Sequence, residues 1–112
     1  MRYRAVAFFN GSEHRLDHFE HDDELVWSTM VFDEEVSADP EHVAEHIYCL
    51  MNAPDRPNGK TESSLSVGDV VALVSIGEER FTTFYEICPV GCKEIKTQPG
   101  SVDMNALLNS LF

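Results

Sequence analysis

Apolar and polar positions alternate at the start of the chain. Tyr3, Ala5, Ala7 and Phe9 fall on one side of an extended segment, and Arg2, Arg4, Val6 and Phe8 on the other. One face is therefore apolar throughout and the other only toward its inner end, which predicts a strand over residues 2–10. Residues 24–32 (ELVWSTMVF) are rich in β-branched and aromatic side chains and predict a second strand. The polar stretch between them, residues 11–23, holds Gly11, three histidines and many acids, and predicts a loop. It is long for a hairpin connection, and long loops in small domains often have functional roles.

A helix follows. Asp39 suits the N-cap, Pro40 the first helical position and Glu41 the acid-favouring first turn. Val43, Ile47, Leu50 and Met51 recur at i, i+4, i+7 and i+8, a single buried stripe. Asn52, Pro54 and Pro57 end it, and residues 52–64 form a turn-rich loop. Residues 69–76 and 80–88 predict a hairpin about Ile76-Gly77-Glu78-Glu79, with a shorter strand from Cys92 to Thr97. Val102, Met104, Leu107, Leu108 and Leu111 make a C-terminal amphipathic helix, capped by Ser101 or Asp103. The order β-β-α-β-β-(β)-α predicts one α+β domain over residues 1–112: a small, mainly antiparallel sheet with the central and the C-terminal helix on one face. The helix stripe is expected to pack on Val71, Leu73 and Phe84 or Tyr85.

Composition permits such a core. The chain has 112 residues, enough for one domain, and 30 of them are Leu, Ile, Val or Phe. The longest apolar run, Val70 to Val74, is far too short to span a membrane, which takes about 20 residues. The five apolar residues after Arg4 are too few for a secretory signal. Cys49, Cys88 and Cys92 are an odd, sparse set, so reduced thiols and a cytoplasmic location are expected rather than a disulfide scaffold.

Charge changes the picture most. Twenty acidic residues face eight Lys/Arg, a net charge of −12. Between residues 13 and 45 lie Glu13, Asp17, Glu20, Asp22, Asp23, Glu24, Asp33, Glu34, Glu35, Asp39, Glu41 and Glu45, against Arg15 alone. This argues against direct binding to nucleic acid or anionic lipid, which need cations to neutralise phosphate. It permits a basic protein partner or a divalent metal. Asp22, Asp23, Glu24, Asp33, Glu34, Glu35, Glu41 and Glu45 are the expected partner-binding residues. Duplex DNA carries one charge per about 1.7 Å, so an acidic face roughly 25–30 Å long would imitate it toward a basic protein.

The most distinctive stretch is Ser63-Ser64-Leu65-Ser66-Val67-Gly68-Asp69-Val70-Val71. Val67-Gly68-Asp69 suits a tight turn into a buried strand, because glycine tolerates positive φ and aspartate bonds nearby backbone. Ser64 to Asp69 are read as a structural motif. The run resembles the SLSVGD or SLSVSD signature of small proteins encoded by phages and conjugative elements, among them the YodL-like domains and related actinobacterial phage proteins. The likeness is specific over about ten residues and extends in layout over residues 24–87, including the Asp-Pro-Glu helix. It implies a mobile-element origin and supplies no catalytic residue.

Catalytic templates are missing: there is no phosphate-binding glycine loop, no Gly-x-Ser-x-Gly and no nucleophile–base pair. So acidic and small a domain is expected to lack a water-excluding pocket, and no catalytic residue or cofactor is assigned. All five histidines lie between residues 14 and 46: His14-x3-His18-x2-His21 precedes three acids, and His42-x3-His46 has helical i, i+4 spacing. Such imidazoles can hold Zn²⁺ or Ni²⁺ with a carboxylate. Beside Glu41 and Glu45, opposite the apolar stripe, His42 and His46 also fit a plain solvated face. Cys88-Pro89-Val90-Gly91-Cys92 reads as a turn between strands, since it has neither C-x2-C spacing nor a second pair. Three readings follow: a non-enzymatic mobile-element accessory protein binding a basic host protein, for example in counter-defence; a metal-binding protein or metal-dependent hydrolase using the His14–His46 region; and a self-associating assembly protein.

Overall fold

The computed structural model describes residues 2–35, 40–52, 65–76 and 81–112. In order these form β1 (Arg2–Asn10), β2 (Leu25–Glu35), α1 (Pro40–Asn52), β3 (Val70–Ile76), β4 (Thr82–Ile87), β5 (Cys92–Ile95) and α2 (Met104–Leu111). The five strands make one antiparallel sheet in the order β2-β1-β3-β4-β5, and the domain is α+β. The Asp39 cap, Ser63, Ser64, the remainder of the 53–64 loop and the 77–80 turn lie outside the described residues.

The central strands explain the layering. Every residue from Val70 to Ser75 in β3 is buried, as are Ala5 to Phe8 in β1. Successive side chains of a strand point to opposite faces, so a continuous apolar run makes both faces of the sheet apolar, and both need a cover. On one face Val43, Ala44, Ile47 and Met51 of α1 meet Tyr3, Ala5, Ala7, Val71, Leu73, Tyr85 and Ile87. On the other, Leu107 and Leu111 of α2 meet Val6, Phe8, Val70, Ala72, Val74 and Phe84. The expectation that both helices share one face is thus corrected: the Val70–Val74 run demands cover on two sides. The expected packing of the α1 stripe holds, with Tyr85 rather than Phe84 beneath it.

Strand β2 runs three residues further than its apolar pattern. The register explains this, because Asp33 lies opposite Arg4; opposite charges across a strand pair favour continued pairing. The Arg4 guanidinium binds the Asp33 carboxylate at 2.6 Å, donates to the Leu111 carbonyl and lies 4.9 Å over the Phe112 ring. It therefore places a cation at the C-terminal end of α2, where exposed carbonyls favour positive charge. At the other end of α2 the Asp103 carboxylate accepts from the Asn105 and Ala106 N–H groups, and so fills the N-cap role.

Candidate functional site

One end of the sheet gathers Asn10, Leu25, Val70, Ile87 and Cys92, the inner ends of all five strands. The loop of residues 11–24 folds over this end, held by two buried carboxylates. Asp69 is fully buried and accepts from the Asn10 N–H at 2.7 Å and the Ser66 N–H at 2.8 Å. The Arg15 guanidinium completes its shell, with Nε 3.2 Å from Oδ1 and Nη2 3.3 Å from Oδ2. Burial pushes the Asp69 carboxyl above the ordinary range, against the pull of these donors.

Asp23, 6% exposed, is the second anchor. Oδ2 accepts from Asn10 Nδ2 at 3.1 Å and from the Glu20 N–H at 2.8 Å, while Oδ1 lies 2.7 Å from His14 Nδ1. Burial works to raise this carboxyl, but hydrogen bonds from the Glu20 backbone, Asn10, His14 and Ser12 outweigh it and hold it at about 2. A folded-state value below the ordinary one stabilises the fold above the unfolded pKa of about 4, and the contribution disappears as pH falls through about 2. Asp23→Asn is therefore expected to flatten the loss of stability between those two pH values. Urea midpoints measured across that window check it, and parallel curves for variant and parent would contradict the role given to Asp23.

The Ser66-Val67-Gly68-Asp69 turn supplies the remaining ties. Gly68 has φ +91°; its N–H donates to the Ile87 carbonyl at 3.0 Å and its carbonyl accepts from Asn10 Nδ2 at 3.1 Å. The Val67 carbonyl accepts from the Leu16 N–H at 2.8 Å, and Leu65 is buried beneath α1. Thus the motif singled out in the sequence clamps the loop. Further along, the Phe19 N–H donates to Glu86 Oε2 at 3.2 Å and Ser101 Oγ donates to the Asp23 carbonyl at 2.9 Å.

Two histidines meet on the outer side of the loop. The rings of His14 and His18 stack at 4.7 Å, tilted by 32°. Glu20 lies between their Nε2 atoms, 3.5 Å from His14 and 3.1 Å from His18. The second nitrogen of His18, Nδ1, lies 3.1 Å from Asp17. Hydrogen bonds to Glu20 and then Asp17 raise the His18 pKa. No family model, curated protein or solved structure matches this chain. The chemistry of the site must therefore be read from these residues themselves.

The expected partner-binding residues are distributed over the loop, the end of β2 and α1. Asp22 and Glu24 are exposed on the loop, and Glu45 lies against Gly91 in the β4–β5 turn at the same end of the sheet. Glu41 is exposed in the first turn of α1. Asp33, Glu34 and Glu35 sit at the far end of β2, about 30 Å along an extended strand from Leu25. Asp23 is corrected outright: it faces inward, because Asn10, His14 and the Glu20 N–H need an interior acceptor. His42 and His46 are exposed on α1, and among the described residues it is His14-x3-His18-x-Glu20 that brings two imidazoles to one carboxylate.

Leu16 carried no sequence signal. It is 73% exposed and has φ +79°, a left-handed conformation that costs a bulky residue strain. Cys88 to Cys92 form the expected turn, the Cys88 N–H donating to the Gly91 carbonyl at 3.0 Å. Burial first, and then the nearby Glu45 charge, push the Cys92 thiol up to about 12. Among the described residues, a groove of about 500 Å³ lies open to solvent between β4, β5 and α2.

Proposed function

We propose that this protein is a non-enzymatic accessory domain, of the kind encoded by mobile elements, that binds a basic protein through the outer surface of its 11–24 loop. One observation carries the reading. The loop's single cation, Arg15, is turned inward onto Asp69, while Glu13, Asp17, Glu20, Asp22 and Glu24 are exposed around Leu16. Clamped by Asp23 and Asp69, these carboxylates are presented in a fixed arrangement, so little ordering entropy is lost when a cationic surface docks. Exposed Leu16 supplies an apolar contact amid the charge. The partner's chemistry is that of a Lys/Arg-rich surface, as on proteins that hold nucleic-acid phosphate, and counter-defence is a role such a contact would serve.

The test combines Glu13→Gln, Asp22→Asn and Glu24→Gln, which removes three negative charges and leaves Asp23, Asp69 and the histidine cluster intact. Capture from host lysate at about 50 mM salt should yield a basic protein that is lost at about 300 mM, where exposed charges are screened within a few ångströms. Association of the triple variant with that protein should be at least about tenfold slower, as expected when steering charges are removed. Equal association rates for variant and parent would overturn the reading.

A further inference from the structure

We propose that His14, His18 and Glu20 form a binding site for a divalent first-row transition metal of the zinc class. The two histidines are oriented alike. Each turns Nδ1 to an aspartate, His14 to Asp23 at 2.7 Å and His18 to Asp17 at 3.1 Å. With Nδ1–H held by a carboxylate, Nε2 is the nitrogen left to ligate once a metal displaces any proton it shares with Glu20, and the Nδ1 carboxylate makes that nitrogen more basic. Both Nε2 atoms then address opposite oxygens of one carboxylate, Glu20.

The nitrogen–oxygen distances are near those the ion imposes. Zinc–nitrogen and zinc–oxygen bonds of about 2.0–2.2 Å at tetrahedral angles place neighbouring ligand atoms roughly 3.3–3.5 Å apart. Glu20 oxygens lie 3.5 Å from His14 Nε2 and 3.1 Å from His18 Nε2, and one ligand atom from each residue fits within 4.8 Å of the other two. The scaffold is already in place, because Asp23 holds the His14 ring and, through the Glu20 N–H, the backbone that carries the third ligand. Two imidazoles with one carboxylate select Zn²⁺, Co²⁺ or Ni²⁺ over the oxygen-seeking Mg²⁺ and Ca²⁺. The outward side of the site is open, so water completes the coordination. The two readings share Asp17, Glu20 and Asp23 but are separable, because the Glu13/Asp22/Glu24 variant leaves all three in place.

The experiment is calorimetric titration of the full chain, purified without a histidine tag and freed of metal by a chelator, with zinc chloride at neutral pH. One ion per chain is expected. His18→Ala and, independently, Glu20→Gln should each weaken zinc binding at least about tenfold, the lower end of what loss of even an outer-shell partner costs. Circular dichroism verifies that each variant is folded. Both side chains are well exposed, 42% for His18 and 57% for Glu20, which favours intact folds. His42→Ala/His46→Ala and the triple charge variant should bind as the parent does, and Mg²⁺ in excess should not compete. With Co²⁺ as the probe, visible absorption should show imidazole coordination and vanish in His18→Ala. No saturable zinc binding, undiminished binding in both loop variants, or loss confined to the His42/His46 variant would each overturn the assignment.

Discussion

Gly68→Val is expected to destabilise the protein by about 3 kcal/mol or more and to displace the 11–24 loop from the sheet end. The backbone at this position has φ +91°, a region a β-branched residue occupies only at a cost of roughly 1–3 kcal/mol. Space adds a second penalty. A Cβ on Gly68 would stand 2.7 Å from the His18 carbonyl oxygen and 3.2 Å from its carbonyl carbon, with the His14 oxygen at 3.4 Å. These are backbone atoms, so relief requires moving the loop rather than rotating a side chain. The substitution should therefore lower the denaturation midpoint and also disturb the His14–His18 stack. Gly68→Ala bears the same backbone penalty with less bulk and should fall between parent and valine variant. An unchanged midpoint for Gly68→Val would show that the turn is not built as described.

Ile47→Asp is expected to cost about 4–5 kcal/mol, a large fraction of the roughly 5–15 kcal/mol that stabilises a domain this size, and so to lower the thermal midpoint steeply. Ile47 is wholly buried in the cluster that joins α1 to Val71, Leu73 and Tyr85 on the sheet. An aspartate there either ionises without a partner or folds only when protonated, and both are costly. Ile47→Val removes one methylene from the same place and should cost only about 0.5–1.5 kcal/mol. The contrast separates loss of packing from burial of charge. Matching thermal midpoints for parent and aspartate variant would place this side of α1 in solvent.

Period and composition made the elements legible. The Val43–Met51 stripe, the Pro40 start and the apolar run of β3 each have a single local explanation, and the structure follows them. What sequence could not supply was the direction in which charged residues face. Asp23 and Asp69 look like any other acids in so acidic a chain, yet both are buried acceptors. Their burial depends on donors from Asn10, Ser66 and Arg15, brought near only when β1, β3 and the loop meet. The histidines show the same limit. His42 and His46 have the regular spacing of a helix, while His14, His18 and Glu20 converge through a turn with Leu16 in the left-handed region, which no periodicity reveals. The two-sided cover was readable, since five consecutive apolar residues in β3 cannot all face one helix.

The strand order also governs when the molecule can form. β1 is an interior strand, bonded to β2 on one edge and to β3 on the other. Its second edge pairs Arg2 with Ile76 and Phe8 with Val70. During synthesis the hairpin of β1 and β2 can close early, but the open edge of β1 has no native neighbour until residues 70–76 emerge. For that interval it presents Ala5 to Phe8, four consecutive buried residues, with a free row of backbone donors and acceptors, the arrangement most prone to pair with another chain. The acidic residues of the 11–24 loop and of the end of β2 travel with this unfinished edge, and the mutual repulsion of such charges opposes association of neighbouring nascent chains until β3 arrives.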